Sequence, residues 1–180
     1  MIEYIRSTGD DVHTTTEPLD AELLDSIQPA FVVSHGYRHI IRKQILDRFP
    51  SRAINLHISY LPYNRGADPN LWSILEGTPK GVTIHYLDEG VDTGDIIAQR
   101  RVELSSEDTL RTSYAKLQEA LCDLFRREWA GIRTGRCDRR RQEGTGTFHK
   151  SKDLEAVRHL LTSGWDTPIA SLQSRTDHRQ

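Results

Sequence analysis

Apolar positions change their spacing several times along this chain, and each change predicts an element. Within Leu19–Gln28, Leu23, Leu24 and Ile27 recur at helical spacing, and Pro29 stops the helix. Ala30–Ser34 (AFVVS) is a short, mostly apolar run of the kind found in a strand buried on both faces. Gly36 follows it, and His39–Phe49 predicts a helix with Ile40, Ile41, Ile45 and Leu46 inward, closed by Pro50. Ala53–His57 reads as the next strand. Asp68-Pro69 predicts a helix start, with a side-chain acceptor at the N-cap and a proline where its missing N–H costs nothing. Leu71, Trp72, Ile74 and Leu75 supply that helix's buried face, and Gly77 its left-handed exit. Gly81–Leu87 alternates, with Val82, Ile84 and Tyr86 on one face and Thr83, His85 and Leu87 on the other. Asp95–Leu104 is a further strand, and the turn Val91–Gly94 lies between the two. From Asp108 to Ile132 runs the longest helix, with Leu110, Tyr114, Leu117, Leu121, Leu124, Phe125 and Trp129 as a packing stripe. A loop over Gly131–Gly146, a helix over Asp153–Thr162 and a frayed tail, SLQSRTDHRQ, complete the reading. Alternation of helix and strand in the first half predicts an α/β chain with a mostly parallel sheet flanked by helices.

Composition narrows the class. The 180 residues fit one domain with a sizeable core, and a mean hydropathy of −0.60 with 36% hydrophobic residues marks a polar but foldable chain. No apolar run approaches the roughly 20 residues of a membrane span. The opening residues, MIEYIRSTGDD, carry no basic-then-apolar signal pattern, so a cytoplasmic location is expected. Cys122 and Cys137 have no metal-ligand spacing and read as reduced thiols. The net charge of −2 does not point to nucleic acid. An arginine-rich segment (Arg126, Arg127, Arg133, Arg136, Arg139, Arg140, Arg141) reads either as a solvated helix end and loop or as an anion site.

Candidate chemistry gathers at strand ends. In a parallel sheet, ligands collect at the carboxyl ends of the strands. His35 and Gly36 follow one strand, Asn55 and His57 finish the next, and Asp92 sits in an Asp-Thr-Gly turn between two later ones. An amide can donate to a developing oxyanion, an imidazole can move a proton, and a carboxylate can orient the imidazole or take a proton through water. Such a set moves an acyl group without a metal or a covalent intermediate. Each residue also has a plain reading: Asn55 as a turn cap, His57 as a structural histidine, Asp92 as a turn former. His85 stands as a supporting or structural histidine, and Ser59 lacks the setting of a serine nucleophile. His35, His39 and His57 match no compact metal signature, so no metal is expected.

The stretches NLHISYLPYNRGADPNLWSILEG and GVTIHYLDEGVDTGDIIAQ resemble the catalytic core of the folate-dependent formyltransferases. These include methionyl-tRNA, glycinamide ribonucleotide and sugar-nucleotide N-formyltransferases. The resemblance is to an Asn-x-His-x-Ser-x-Leu-Pro…Arg-Gly…Pro…Trp pattern followed by Gly-x-Thr…Asp-Thr-Gly, and it implies a Rossmann-like fold. It puts Asn55, His57 and Asp92 on the family's catalytic positions. It implies 10-formyltetrahydrofolate as donor, with the pterin between His39, Ile40 and Ile41 on one side and the loop of Asp88, Glu89, Val91 and Asp92 on the other. Tyr63, Arg65, Gly66 and Pro69 are then placed to face the acceptor. Ile58 and Tyr60 stand where the family usually has Pro and Leu.

The family opens with a strand, a glycine turn and a helix, whereas MIEYIRSTGDDVHTTTEPLD starts within that first helix. The first strand is therefore expected to be lacking, leaving an edge to be covered, paired in a homodimer or exposed. Residues 1–150 are expected as the catalytic domain and 151–180 as a C-terminal helix and tail. A small-molecule amine, foremost an amino-sugar nucleotide, is the expected acceptor, in part because GTGTFHKSKD (144–153) resembles a segment of some sugar N-formyltransferases. Hydrolysis of formyltetrahydrofolate, as in related deformylases, is the main alternative; a non-catalytic folate-binding domain or a nucleic-acid module are the others.

Overall fold

The computed structural model describes residues 1–173. Its centre is a four-stranded sheet built from β1 (Val32–His35), β2 (Ala53–His57), β4 (Gly81–Tyr86) and β5 (Ile96–Arg101), in the order β1-β2-β4-β5. Only β1 and β2 pair in parallel; β4 runs antiparallel to both β2 and β5. The α/β, Rossmann-like expectation holds, but the sheet is mixed rather than mostly parallel. The reason is local. The nine residues 87–95 between β4 and β5 are too few for a crossover, so the two strands must form a hairpin.

β4 is buried along its whole length, as a central strand covered on both faces must be. Ile54, Leu56, Val82 and Ile84 meet the longest helix, α5 (Leu110–Arg133), through Leu117, Leu121, Leu124, Phe125 and Trp129. Tyr114 was expected in that stripe but is exposed. Alternation along the strands turns Asn55, His57, Thr83 and His85 to the opposite face, and register sets Asn55 beside His85 and His57 beside Thr83. A shift in the β4–β5 pairing falls between Ile84 and His85, beside the candidate site.

The chain ahead of β1 forms α1 (Ile2–Ser7) and α2 (Ala21–Ile27), and no strand precedes Val32 among the described residues. α1 docks on α5: the Tyr4 hydroxyl donates to the Arg126 carbonyl at 2.7 Å, and Arg133 pairs with Asp10 at 2.8 Å. Asp20 caps α2 by accepting from the Leu23 N–H. The helix expected over His39–Phe49 shrinks to α3 (Lys43–Leu46), and Ile40, expected inward, is 77% exposed. α4 (Pro69–Leu75) starts at Pro69 as expected, yet Asp68 has a left-handed backbone and its carboxylate makes no capping bond.

Past α5, β6 (Phe148–His149) pairs in parallel with β3 (Arg65–Gly66) in a second, two-stranded sheet. The helix expected over Asp153–Thr162 is broken into 3₁₀ turns around α6 (Leu154–Val157). A further helix, α7 (Ile169–Gln173), forms where the chain was read as leading into a tail; residues 174–180 of that tail lie outside the described residues. Ile169 and Leu172 bury against Leu71, Ile74 and Leu110, so the segment after residue 150 shares a core with α4 and α5. Among the described residues no helix is long and apolar enough to cross a membrane.

Candidate active site

Asp92 is the centre of the site. Its carboxylate is nearly buried, on a turn whose backbone is left-handed at Asp92 itself. Oδ1 accepts from the Asn55 amide at 2.9 Å, and Oδ2 accepts from the Gly66 main-chain N–H at 2.9 Å. His85 Nε2 stands 3.4 Å from Oδ1, and His57 Nδ1 stands 3.7 Å from Oδ2. The three residues that the sequence singled out, Asn55, His57 and Asp92, therefore meet. His85 joins them, closer than its supporting role in the sequence reading implied.

Ring hydrogens follow from partners that can only accept. His85 Nδ1 lies 2.8 Å from the Tyr86 carbonyl, which places its hydrogen there. Nε2 of the same ring faces the Asn55 amide at 3.3 Å and Asp92 Oδ1 at 3.4 Å. His57 Nε2 lies 3.0 Å from the Asn64 carbonyl, so Nδ1 is the unprotonated atom turned toward Asp92. Burial pushes the His57 imidazole below its ordinary pKa of 6.5; Asp92 opposes that fall and His85 adds to it. Burial pushes the Asp92 carboxyl up, but His57, His85 and the Gly66 N–H outweigh it and hold it well below the usual carboxylate range. The resting arrangement is an ionised carboxylate beside a neutral imidazole.

Two glycines allow the close packing. Gly66 has φ +86°, and a Cβ there would lie 2.1 Å from the His149 carbonyl. Gly94 closes the Asp-Thr-Gly turn so tightly that a Cβ would lie 1.8 Å from the Tyr86 carbonyl. Gln142 clamps the same turn, its amide donating to the carbonyls of Asp92 and Gly94 at 2.8 and 2.9 Å.

Residues expected at the pterin lie on two adjacent segments. Ile41 and Leu87 pack on one cluster, and Lys43 pairs with Glu89 at 3.1 Å across the gap. His39 and Ile40 are exposed, and Val91, the chain neighbour of Asp92, is 41% exposed. The Asp88 carboxylate is engaged within its own loop, accepting from Gly90 N–H and the Thr93 hydroxyl. On the acceptor side, Tyr63 is half-buried and Arg65 donates to the Thr145 carbonyl at 2.7 Å. Gly66 serves Asp92 directly. Pro69 is buried as the first residue of α4, so its place here is to start the helix. Ser59 is buried, with a hydroxyl that has no partner.

The arginine-rich segment is engaged internally. Arg139 pairs with Asp95 at 2.7 Å and lies over the Tyr86 ring, Arg140 bonds Gln99, and Arg126 pairs with Asp123. The Arg139 and Arg140 contacts strap the 136–142 loop over the β4–β5 hairpin, which favours the structural reading for that part of the segment. No group of three or more metal-binding side chains is present among the described residues.

Similarity to known proteins fits this geometry. Methionyl-tRNA formyltransferase of Finegoldia magna is 40% identical over 121 residues, 65% of this chain and 39% of that protein. The dTDP-4-amino-4,6-dideoxyglucose formyltransferase of Mycobacterium bovis is 36% identical over 120 residues, 63% of this chain and 51% of that protein. The chain thus spans about half or less of the length of these curated relatives. The crystal structure of the formyltransferase PseJ from Anoxybacillus kamchatkensis, in complex with UDP-4,6-dideoxy-4-formamido-L-AltNAc and tetrahydrofolate, superposes with a TM-score of 0.92. It is 48% identical, and the match covers 97% of this chain and 92% of that one. Residues 8–127 match the formyl transferase family, and with the Asn55, His57 and Asp92 cluster inside that span, this chain belongs to it.

Proposed function

We propose that this protein transfers a formyl group from 10-formyltetrahydrofolate to the primary amine of a small molecule, an amino-sugar nucleotide. The observation that carries the reaction type is the meeting of Asn55, His57 and an ionised Asp92 in one cluster, with Asn55 hydrogen-bonded to Asp92 and His57 Nδ1 3.7 Å from it. The acceptor class is supported by the extent of the likeness to the sugar-nucleotide-bound PseJ structure. That likeness covers 97% of the chain, well beyond residue 127 where the family match ends.

Formyltetrahydrofolate, when bound, supplies an activated acyl carbon, and the exposed Ile40 and Val91 offer apolar side chains for a face of its pterin. The chain's own residues do the rest. The Asn55 amide has two hydrogens; the one on Asp92 holds it in place, and the weaker contact to His85 frees the other for the developing oxyanion. The attacking amine bonds to the formyl carbon as the carbon–nitrogen bond to folate breaks. Its proton leaves toward the Asp92 carboxylate or His57 Nδ1, and the departing folate nitrogen takes up a proton in turn.

The test is turnover of formyltetrahydrofolate with UDP-linked 4-amino-4,6-dideoxy sugars, followed by release of tetrahydrofolate and mass gain of the sugar. Asn55→Ala and His57→Ala are each expected to lose at least about 100-fold in kcat. Parental turnover in both variants refutes the assignment. Folate turnover at the same rate without any amine points instead to hydrolysis.

A further inference from the structure

We infer that Asn64 is a positioning residue for this reaction, and that it fixes which nitrogen of His57 is free to take a proton. The inference rests on the acyl-transfer reading of the site but not on the identity of the acceptor. Asn64 is fully buried and sits at φ +56°, in the left-handed region that asparagine enters more readily than most non-glycine residues. Its carbonyl receives the His57 Nε2 hydrogen at 3.0 Å.

Every other polar atom of Asn64 is occupied. Its N–H donates to the Thr147 hydroxyl oxygen at 2.8 Å, and its side-chain amide donates to Glu76 at 3.1 Å and again to Thr147 at 3.3 Å. Its side-chain carbonyl accepts from the Thr78 hydroxyl at 2.7 Å. Glu76 is in turn held by His149 at 2.7 Å, whose ring stacks flat on Trp72 at 3.8 Å. A fully satisfied buried network of this kind has little freedom to shift, so the carbonyl that meets His57 is fixed in space. With Nε2 committed to that carbonyl, Nδ1 facing Asp92 is the basic atom. An imidazolium formed there has both N–H groups directed at oxygen acceptors.

Two of the supporting residues, Thr147 and His149, lie beyond residue 127, where the family match ends. The segment after the shared core thus helps to mount the catalytic histidine, and is not only a cover for the acceptor.

Long-range ¹H–¹⁵N spectra of the intact protein test this without any substrate. The parent is expected to show His57 protonated at Nε2. Asn64→Gly keeps the left-handed backbone but removes the side-chain locks, and is expected to give tautomer-averaged His57 shifts with a fall in kcat of about tenfold. Tetrahydrofolate affinity should stay within about twofold, since Asn64 meets His57 at Nε2, the ring nitrogen opposite the one that faces Asp92. A parent protonated at Nδ1, or an Asn64→Gly protein with parental His57 shifts, overturns the inference. Should that variant fail to fold, Thr78→Val removes one lock alone and is read by the same shifts. If no amino sugar is accepted, the tautomer result still decides the role of Asn64, while the acceptor proposal fails separately.

Discussion

At the scale of single residues, the site works through two groups shifted in the same direction for different reasons. His57 is held neutral by burial, and Asp92 is held ionised by its partners. For both, the unfolded chain binds a proton at higher pH than the folded one does, so stability is gained as pH rises. The contribution of His57 is complete above its ordinary 6.5 and is lost as pH falls toward its lowered folded value. That of Asp92 is complete above the ordinary carboxylate range and disappears at more acid pH. The melting temperature should therefore drop between pH 7 and pH 5, and His57→Asn should flatten that drop in a thermal-melt series. Asn55, His57 and Asp92 were legible as chemistry because their residue types are rare together at strand ends and turns. The bonds that hold them were not. Gly66 contributes a main-chain N–H and Asn64 a main-chain carbonyl, and no residue letter announces either. Gln142 sits in what reads as a polar loop, with no pattern to separate it from its neighbours.

Elements were legible where one face is buried and obscure where surface is left open. The alternation in Gly81–Leu87 correctly divides Val82, Ile84 and Tyr86 from Thr83 and His85, because the first set joins the cluster with α5 while Thr83 bonds the chain after β2 and His85 joins the site. The spacing of Ile40, Ile41, Ile45 and Leu46 misleads, because periodicity cannot tell a packed isoleucine from an exposed one on an open surface. The mixed sheet was half visible: the short Val91–Gly94 turn implies a hairpin even though the first half suggests parallel pairing. The β3–β6 pair, two residues on each side, is too short to leave any periodic trace. It is nonetheless what brings Gly66 under Asp92. Gly66→Ala should force this pair apart, since the added methyl meets the His149 carbonyl and the backbone is left-handed. We expect about 2 kcal/mol of destabilisation in urea titration and at least a tenfold loss of kcat in the fraction that remains folded.

For the whole molecule, the site depends on segments far apart in the chain. β2 and the β4–β5 hairpin bring the reactive groups, the 136–142 strap clamps the turn, and β6 seats Gly66. The chain after residue 150 returns to pack on α4, whose Trp72 backs His149. Leu172 is completely buried in that second cluster. Leu172→Ala should cost about 2–4 kcal/mol in equilibrium unfolding. A chain ended after Gln142 should lose the β3–β6 pair and with it turnover, even if the four-stranded sheet retains its circular dichroism. Full activity in that shortened protein would contradict the dependence described here. The sequence marked this region only as a helix over Asp153–Thr162 and a tail, because its apolar residues are too few and too irregularly spaced to advertise a shared core.

The Gly66 N–H has a consequence for how this protein tolerates change. A donor that belongs to the peptide bond has no side chain of its own, so alanine exchanges at its neighbours will pass over it, and alanine at Gly66 disturbs the backbone path without removing the donor. Proline would remove it but cannot follow a left-handed backbone, so an ester linkage in place of that amide is the clean deletion. Part of the site is thereby written into the path of the main chain, and any descendant that keeps the path inherits it.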